Sequence, residues 1–270
     1  MSDTSALPAS AYTATTDGYQ ATALTRGPWH PEHQHAGPPI ALVCRAIEQS
    51  AQQHGLGHIS RLTANLLRPV PIGELNIDVA FDYVGRNAGH FSARLLAGGK
   101  EVARFTALAQ RESELPLPQG LQGHPLPQAP RPPEQSTLAS FPFAGQYIGY
   151  ADLVENRTAQ GQFFNGPCAI WFRLLHPLVA GEEPSVYQRV AVAADSGNGI
   201  SAILDFSKYI FVNSDLTINL LRRPQGEWIC LDARTELGPQ GCGLAESALY
   251  DSHGLIGRAT QSLAIRLREA

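Results

Sequence analysis

The chain has 270 residues, 43% of them hydrophobic, a length that suits one large domain or two small ones. Its formal net charge is −4, and its 20 Lys plus Arg residues form no basic cluster, so we expect no nucleic-acid partner. No apolar run reaches about 18 residues, and the N-terminal segment lacks both a basic and an apolar stretch. We therefore expect a cytoplasmic protein with no membrane partner.

Three histidines stand in a loop-like segment ahead of the first long apolar run. His30, His33 and His35 follow the pattern H-x-x-H-x-H, and Pro31 interrupts them. Zinc ligands more often occupy a defined turn or one helix face, so we expect solvated loop histidines and no metal site. His35 is nearest to the apolar run and is a candidate for lining a substrate entrance.

The apolar run after these histidines predicts a buried helix. Gly37 is followed by two prolines, which the first turn of a helix tolerates because its N–H groups have no intrahelical partner. From Ile40 to Ile47 the run is apolar except for Arg45. A helix that is apolar on nearly all sides is typically buried.

Strands that alternate between apolar and polar residues follow this helix. In LNIDVAFDYV every second residue from Leu75 to Phe81 is apolar, which predicts a sheet with one covered face. Short turns rich in glycine separate the next strands, so we expect an antiparallel meander. The preceding helix is the long element available to cover this sheet.

The middle of the chain is rich in proline. Residues 113–146 contain eight prolines and almost no periodic apolar pattern. Proline lacks the backbone donor that helices and central strands need, so this segment predicts an extended linker.

A second helical signal follows in residues 185–206. It is interrupted by the sequence Asp-Ser-Gly-Asn-Gly at residues 195–199. Because Asp, Ser and Asn are good N-caps, these residues predict the end of one helix and the start of another.

The four cysteines are Cys44, Cys168, Cys230 and Cys242. They form no C-x-x-C pair and have no zinc-ligand spacing. Apolar residues surround them, so the sequence predicts reduced thiols in the core.

A short motif occurs twice in the chain. Residues 62–68 read LTANLLR and residues 216–222 read LTINLLR, so six of seven positions are identical. Similar strands and turns follow each copy, which indicates a fused duplication. The sequence therefore predicts an α+β double hotdog, in which two tandem repeats each wrap a curved antiparallel sheet around a central helix. We place the N-terminal repeat at 1–112, the Pro-rich linker at 113–146 and the C-terminal repeat at 147–270.

Over most of its length the chain resembles the acyl-CoA thioesterase II family, the fused double-hotdog thioesterases. The segments that carry this resemblance are HQHAGPPIALVCRAI, ISRLTANLLRPVPIGELNIDVAFDYVGR, AADSGNGISAIL, VNSDLTINLLRRPQGEWICLDARTELG and GLAESALYDSHGLIGRATQSLAIR. The resemblance implies hydrolysis of acyl-CoA thioesters to free acid and CoA without a cofactor. It also implies a homo-oligomer, because hotdog sheets commonly continue across subunits.

In that family an Asp at the second-half helix, a Thr on the strand after it and a Gln near the C-terminus hold the attacking water. Asp195 matches the acid, and Asn213 occupies the Thr position. Gln261 lies near the Gln, but an ungapped alignment to the shared turn glycine places Ser262 there instead. A shift of one residue reverses the face of a strand, so both residues remain candidates.

The resemblance also assigns a role to the first helix. Gly37 resembles the family's glycine at the helix start, so backbone N–H groups there are expected to stabilise the oxyanion. The first helix has no carboxylate before Glu48, so we expect one catalytic site, at Asp195. The candidate catalytic residues are Asp195, Asn213 and Gln261, and the candidate substrate-binding residues are His35, Gly37 and Ser262.

Three other interpretations remain open. Asp195 could be an ordinary N-cap of a helix that restarts after the break. The protein could bind acyl-CoA without turnover, because Asn213 offers an amide where the family has a hydroxyl. Hydration of enoyl thioesters uses the same fold, but the resemblance would require a His shortly after the acid, and Ser-Gly-Asn-Gly-Ile follows Asp195.

Overall fold

The structure is a computed structural model that describes residues 6–119 and 125–268. Residues 1–5, residues 120–124 of the predicted linker and residues 269–270 lie outside the described residues. The helices in the described part are α1 (Gly37–Gln53), α2 (Tyr150–Leu153), α3 (Val186–Ala194) and α4 (Gly197–Ile200). The strands there are β1 (Tyr12–Ala14), β2 (Tyr19–Ala21), β3 (His58–Leu66), β4 (Glu74–Val84), β5 (Ala88–Ala97), β6 (Lys100–Gln110), β7 (Thr137–Ala139), β8 (Val154–Gln160), β9 (Cys168–Leu174), β10 (Tyr209–Asn213), β11 (Asp215–Leu220), β12 (Ile229–Leu237), β13 (Cys242–Asp251) and β14 (Gly254–Leu267).

The strands form one large antiparallel sheet. Its order is β1-β2-β4-β5-β6-β3-β11-β14-β13-β12-β9-β8-β7, and β10 pairs with the C-terminal part of β14. β4, β5 and β6 pair in succession, as do β12, β13 and β14. This pairing confirms the predicted meanders.

The repeated motif lies at the centre of the sheet, where its two copies pair with each other. β3 and β11 run antiparallel, and Thr63 lies opposite Thr217 with their Oγ1 atoms 3.3 Å apart. The residues on either side are related by a two-fold axis through this pair. Leu62 lies opposite Ile218, and Ala64 lies opposite Leu216. The motif therefore joins the N-terminal and C-terminal parts of the sheet.

Helix α1 begins and is buried as the sequence predicts. Gly37 is its first residue, and the two prolines occupy its first turn. Leu42 and Ile47 are fully buried, and burial of such a side chain contributes about 1.5–3 kcal/mol. α1 packs against β3, β4 and β5, and α3 packs against β9, β11 and β12. The two helices also contact each other, so a continuous apolar core lies between them and the sheet.

The predicted helix break separates α3 from α4. Ser185 is the N-cap of α3, and its hydroxyl accepts a hydrogen bond from the Gln188 N–H at 3.2 Å. α3 ends at Ala194, and Asp195 follows it as the C-cap residue. The interpretation of Asp195 as an N-cap is therefore wrong. Ser196 is the N-cap residue of α4, and the Asp195 carboxylate accepts a hydrogen bond from the Asn213 side chain.

The predicted alternation in β4 continues to Phe81, but Phe81 is not covered. Leu75 is fully buried, whereas Phe81, which we expected on the covered side, is 61% exposed. Phe81 lies opposite the buried Phe91, and Val79 lies opposite the buried Ala93, so Phe81 stands on the predicted face. Its ring packs against His54 beyond the end of α1, where the helix no longer covers the sheet.

The proline-rich segment is more structured than a simple linker. Thr137–Ala139 forms β7, which lies at the edge of the sheet, where proline-rich sequence is tolerated. A single turn of 3₁₀ helix spans Pro133–Gln135, and Phe141 is buried in the core. The end of this segment therefore belongs to the packed structure.

Three of the four cysteines are buried free thiols, as predicted. Cys242 is exposed, so its assignment to the core is wrong. It begins β13 directly after Gly241, which has the left-handed φ of 76°, and it lies opposite the exposed Ala264. Cys242 therefore stands on the outer face of the sheet, as do the exposed Leu244 and Ser262. No helix in the described part of the chain is long and apolar enough to span a membrane.

Gly257 tests how closely the central strands approach. A Cβ atom on Gly257 would lie 2.0 Å from the Asn219 carbonyl oxygen of β11. We expect Gly257→Ala to lower the free energy of unfolding by about 1–3 kcal/mol or more, because a backbone oxygen cannot move aside cheaply. Gly73→Ala is the matched control, because its Cβ would meet nothing within 4 Å. Urea denaturation of both variants checks the prediction, and equal stabilities would contradict it.

Candidate active site

A cavity of about 320 Å³ lies where the two parts of the sheet meet. Its walls come from the loop before α1, the end of the proline-rich segment, the α3–α4 joint, and the chain around β10 and after β3. Three predicted site residues line it, namely His35, Asp195 and Asn213. Gly37 and Gln261 lie behind this wall and contact its residues, whereas Ser262 does not reach it.

The Asp195 carboxylate is the centre of the site. Its side chain is only 4% exposed, and Oδ2 lies 3.0 Å from His35 Nδ1. Asn213 Nδ2 donates to Oδ1 at 2.9 Å, and Gln261 Nε2 approaches the same oxygen at 3.4 Å. The Gly37 N–H at the start of α1 also donates to this carboxylate. A carboxylate has about four acceptor positions, so these donors saturate Asp195.

The surroundings favour the ionised form of Asp195. Burial alone would raise the pKa of Asp195, because a charged group loses its hydration. The charge of His35 and the hydrogen bonds from His35, Asn213 and Gly37 outweigh burial and hold the pKa below its usual value. Asp195 is therefore a carboxylate at neutral pH.

His35 is fixed on two sides. Its ring stacks on the fully buried Tyr150, with centroids 3.8 Å apart and planes only 3° from parallel. The Tyr150 hydroxyl donates to the Val192 carbonyl at 2.9 Å and lies 3.0 Å from Ser196 Oγ. Burial raises the pKa of Tyr150, so this hydroxyl stays protonated. Tyr150 thus ties His35 to the α3–α4 joint.

The charge on Asp195 determines the tautomer of His35. The Gly37 N–H lies 3.2 Å from His35 Nδ1, which could accept a hydrogen bond only without a proton. An ionised carboxylate at 3.0 Å requires a proton on Nδ1, so the imidazole donates to Asp195. Nε2 then remains for other chemistry, and no hydrogen bond ties it to another described residue.

Gln261 holds the α3–α4 joint. Its Nε2 donates to the Asp195 carbonyl at 3.1 Å, and its Oε1 accepts from the Asn198 N–H at 2.9 Å. Gln261 is buried, whereas its neighbour Ser262 is exposed on the other face of β14. The register therefore brings Gln261, and not Ser262, to Asp195. Both the oxygen and the nitrogen of the Gln261 side-chain amide are therefore hydrogen-bonded to the protein.

The Asn213 amide has a different pattern of hydrogen bonds. Its Nδ2 donates to Asp195 and, at 3.3 Å, to the Asp215 carbonyl. The carboxylate can only accept, so this orientation of the amide is chemically required. Oδ1 is then the group that Asn213 presents at the cavity.

The expected role of Gly37 as an oxyanion donor does not fit its contacts. Its N–H is directed at Asp195 and His35, so it is already engaged. A Cβ at this position would lie 2.5 Å from the Val192 carbonyl oxygen, so glycine lets α1 approach α3 closely. Gly37 therefore donates a hydrogen bond to the Asp195 carboxylate and allows α1 and α3 to pack closely.

Glu48 is the first-half carboxylate that we expected to be unsuitable. It accepts hydrogen bonds from the Ser185 hydroxyl at 2.7 Å and from Gln188 Nε2 at 3.5 Å. Burial raises the pKa of Glu48, and these hydrogen bonds lower it only in part. Glu48 lies on α1, contacts the start of α3 and is outside the cavity, so among the described residues Asp195 is the carboxylate of this site.

Sequence reasoning missed an aromatic wall beside Asp195. Phe141, Phe143 and Phe164 line the cavity together with it. Phe164 has φ 57°, the one left-handed residue other than glycine in the described part of the chain, which costs about 1–2 kcal/mol. The signals were apolar residues within proline-rich sequence and the pair FF between two glycines. Asn198, which also lines the cavity, was missed because polar residues beside glycines are common in turns.

Comparison with known protein families identifies the chain. The acyl-CoA thioesterase N-terminal domain family matches residues 25–110. The acyl-CoA thioesterase C-terminal domain family matches residues 124–265, which is more than half of the chain. The chain belongs to the acyl-CoA thioesterase family. This finding confirms the resemblance and supports a thioester hydrolase.

Solved structures similar to this thioesterase-family chain agree on the fold. A protein of unknown function with a hot dog fold from Alicyclobacillus acidocaldarius has TM-score 0.71 and 16% identity, with 97% of each chain covered. An acyl-CoA thioesterase II from Mycobacterium marinum has TM-score 0.66 and 14% identity, covering 94% of this chain and 95% of its own. A candidate thioesterase II from Thermobifida fusca has TM-score 0.72 and 15% identity, with 96% of each covered. A search of curated protein sequences gave no significant match.

Gln261 and Ser262 offer a test of the register of β14. We expect Gln261→Ala to lower the free energy of unfolding by about 1–3 kcal/mol, because it leaves the buried Asn198 N–H and Asp195 carbonyl without this partner. Ser262→Ala is the control, because this side chain is exposed on the other face. Guanidinium denaturation of the two variants checks the prediction. A larger loss for Ser262→Ala would show that the register is wrong.

Proposed function

We propose that this chain hydrolyses acyl-CoA thioesters to free acid and CoA, with a water molecule held at the Asp195 cluster. The observation that carries the proposal is an ionised, buried Asp195 in contact with His35 in the wall of a cavity. Asn213 and Gln261 complete the cluster. Membership of the acyl-CoA thioesterase family supports acyl-CoA as the substrate.

We assign proton transfer to His35 and not directly to Asp195. The acceptor positions of Asp195 are occupied, and a carboxylate with a lowered pKa is a weak base. An imidazole with its Nδ1–H on a carboxylate presents Nε2 as a base, and the carboxylate stabilises the imidazolium that forms. Asp195 is then the charge that orients and stabilises His35.

Two amides are suited to the other atoms of the reaction. Asn213 Oδ1 can accept the second hydrogen of the water. A lone pair of the water oxygen is then directed at the thioester. Asn198 lines the cavity, and we assign its side-chain N–H group to the negative oxygen that forms. Gln261 is a positioning residue in this proposal, because it fixes the backbone of both Asp195 and Asn198.

In the proposed hydrolysis the water gives one proton to His35 Nε2, and its oxygen forms a bond to the carbonyl carbon of the thioester. The resulting tetrahedral oxyanion collapses, the C–S bond breaks, and the electron pair leaves with the CoA sulfur. His35 returns its proton to that sulfur, so the products are the acid and the free thiol.

Hydration of enoyl thioesters is a second candidate, because the structure brings a histidine to the acid after all. His35 comes from the first half of the chain and not from the residues after Asp195, where we looked for it. A buried Asp–His pair beside a cavity could also direct water to a carbon–carbon double bond. Binding of acyl-CoA without turnover is the third candidate, because Asn213 stands in place of a hydroxyl residue.

We also propose the finer architecture of this hot dog protein. The strand order β4-β5-β6-β3 in the first part corresponds to β12-β13-β14-β11 in the second, and the two repeated motifs pair at the centre. These orders support two tandem repeats, each with one helix against its strands. The homo-oligomer that the family resemblance implies is a further proposal, which analytical ultracentrifugation would test.

The first functional prediction concerns Asp195. We expect the protein to release thiol from one or more members of a panel of acyl-CoA esters. Asp195→Asn should lower kcat by about 10²–10⁴-fold, because it removes the charge that stabilises the His35 imidazolium. Asp78→Asn is the control, because this exposed carboxylate pairs with Arg94 on β4 outside the cavity. Full activity of Asp195→Asn would remove Asp195 from the mechanism.

The same assay separates the candidate functions. Loss of enoyl absorbance from crotonyl-CoA without thiol release would support hydration and contradict hydrolysis. Calorimetric binding of acyl-CoA esters without turnover of any of them would support the binding protein.

The second functional prediction concerns pH. Asp195 has a lowered pKa, so it remains ionised until the pH falls below the ordinary aspartate range. We therefore expect Asp195 to cause no loss of kcat above the ordinary aspartate range of about pH 4. His35→Gln should lower kcat, and any acidic limb that the wild type shows above that range should be absent from this variant.

The control for this profile is His30→Gln, which changes an exposed histidine of the same loop outside the cavity. It should keep both the rate and the profile of the wild type. An acidic limb that persists in His35→Gln, or one that lies below pH 4 in the wild type, would assign the base to Asp195 instead.

A further inference from the structure

The aromatic wall beside the Asp195 cluster is built from rings that fix one another. The Phe141 ring stacks on Phe143, with centroids 5.0 Å apart and planes 13° from parallel. Phe141 also lies 5.7 Å from Tyr150, the ring that stacks on His35. A chain of ring contacts therefore links the proposed base to Phe143.

Phe164 joins this wall despite a strained backbone. Its φ of 57° is one that glycine adopts freely, and Gly161 and Gly166 on either side have φ 77° and 84°. A bulky residue in this conformation is a real outlier, and such outliers concentrate at functional sites. The Phe164 N–H donates to the Ile200 carbonyl at 3.3 Å, and Phe164 lines the cavity. The backbone at this position favours glycine, so contact between the Phe164 ring and a ligand would give the phenylalanine a function here.

A second aromatic group lines the same cavity. The Trp29 ring lies 4.7 Å from Phe206 and meets Phe211 edge to face at 5.4 Å. Phe211 is buried and Trp29 is 37% exposed, so this group extends from the interior to the mouth. Aromatic rings prefer offset-stacked or edge-to-face partners, so both groups favour a flat aromatic ligand over an aliphatic one.

The space available is suited to a compact acyl group. The cavity volume of about 320 Å³ lies at the lower end of the range of ligand pockets. In the layer between the helices and the sheet, the void beside Cys44 and Tyr187 holds only about 10 Å³. This void is too small to hold a long straight chain.

From these observations we propose that the acyl group of the substrate is a compact aromatic one, an aryl or arylalkanoyl thioester seated against Phe141, Phe143 and Phe164. The inference rests on the proposed thioester hydrolysis. It adds the substrate class, which the family does not specify for this chain.

The test compares two thioesters of similar size. We expect kcat/KM for phenylacetyl-CoA to exceed that for hexanoyl-CoA by roughly tenfold, and that for palmitoyl-CoA by more. Phe164→Leu should reduce the ratio of phenylacetyl-CoA to hexanoyl-CoA about three- to tenfold, because it removes the ring and keeps an apolar side chain. Phe143→Leu should act in the same direction and serves as the second variant if Phe164→Leu fails to fold.

The matched control is Phe81→Leu, which changes a phenylalanine that is 61% exposed on β4 outside the cavity. It should leave the ratio unchanged. A wild type whose kcat/KM for hexanoyl-CoA or palmitoyl-CoA equals that for phenylacetyl-CoA would overturn the inference. Equal losses for both thioesters in Phe164→Leu and Phe143→Leu would also overturn it.

Binding measurements separate this inference from the proposed hydrolysis. Calorimetry on Asp195→Asn should show a lower Kd for phenylacetyl-CoA than for hexanoyl-CoA. If no thioester is hydrolysed by the wild type but this preference holds, the proposed function fails and the aromatic pocket stands. If hydrolysis occurs but neither Kd nor kcat/KM favours the aromatic thioester, the substrate class is wrong and the hydrolase stands.

Discussion

The structure of this site depends on the burial of one carboxylate. An ionised carboxylate in a protein interior costs several kcal/mol unless donors replace its hydration. For Asp195 the donors come from the loop before α1, the first residue of α1, β10 and β14. These segments are far apart in sequence, so the need to satisfy one charge fixes how the two parts of the chain meet at the cavity.

The central strand pair explains why the cavity lies at this junction. β3 and β11 carry the two copies of the repeated motif and pair about Thr63 and Thr217. The end of β3 and the chain after it line the cavity with Leu66 and Arg68, and the end of β10, just before β11, lines it with Asn213. Pairing of the two motifs therefore brings both walls together, and the same hydrogen-bonded ladder that joins the halves positions the site.

Much of this arrangement could be predicted from local pattern. The helix opening at Gly37, the break after α3, the motif repeat and the candidate Asp195 are all properties of short segments, where propensity and periodicity act. The choice between Gln261 and Ser262 required the register of β14, because neighbouring residues on a strand stand on opposite faces. The contact of His35 with Asp195 required the packing of α1 on α3. Phe141 and Phe164 were missed because proline-rich and glycine-rich sequence predicts loops without telling where their side chains lie.

The chemistry and the fold are connected through the pKa of Asp195. Its lowered pKa means that ionisation stabilises the folded protein above the usual aspartate range, and this stabilisation is lost as the pH falls through the lowered value. The donors responsible include Gly37 and His35, which both belong to the first half of the chain. Without them the balance would move towards burial, which raises the pKa of the same carboxylate and so disfavours its charged form. Both parts of the chain therefore contribute to this charge, because one provides the carboxylate and the other provides donors that keep it ionised.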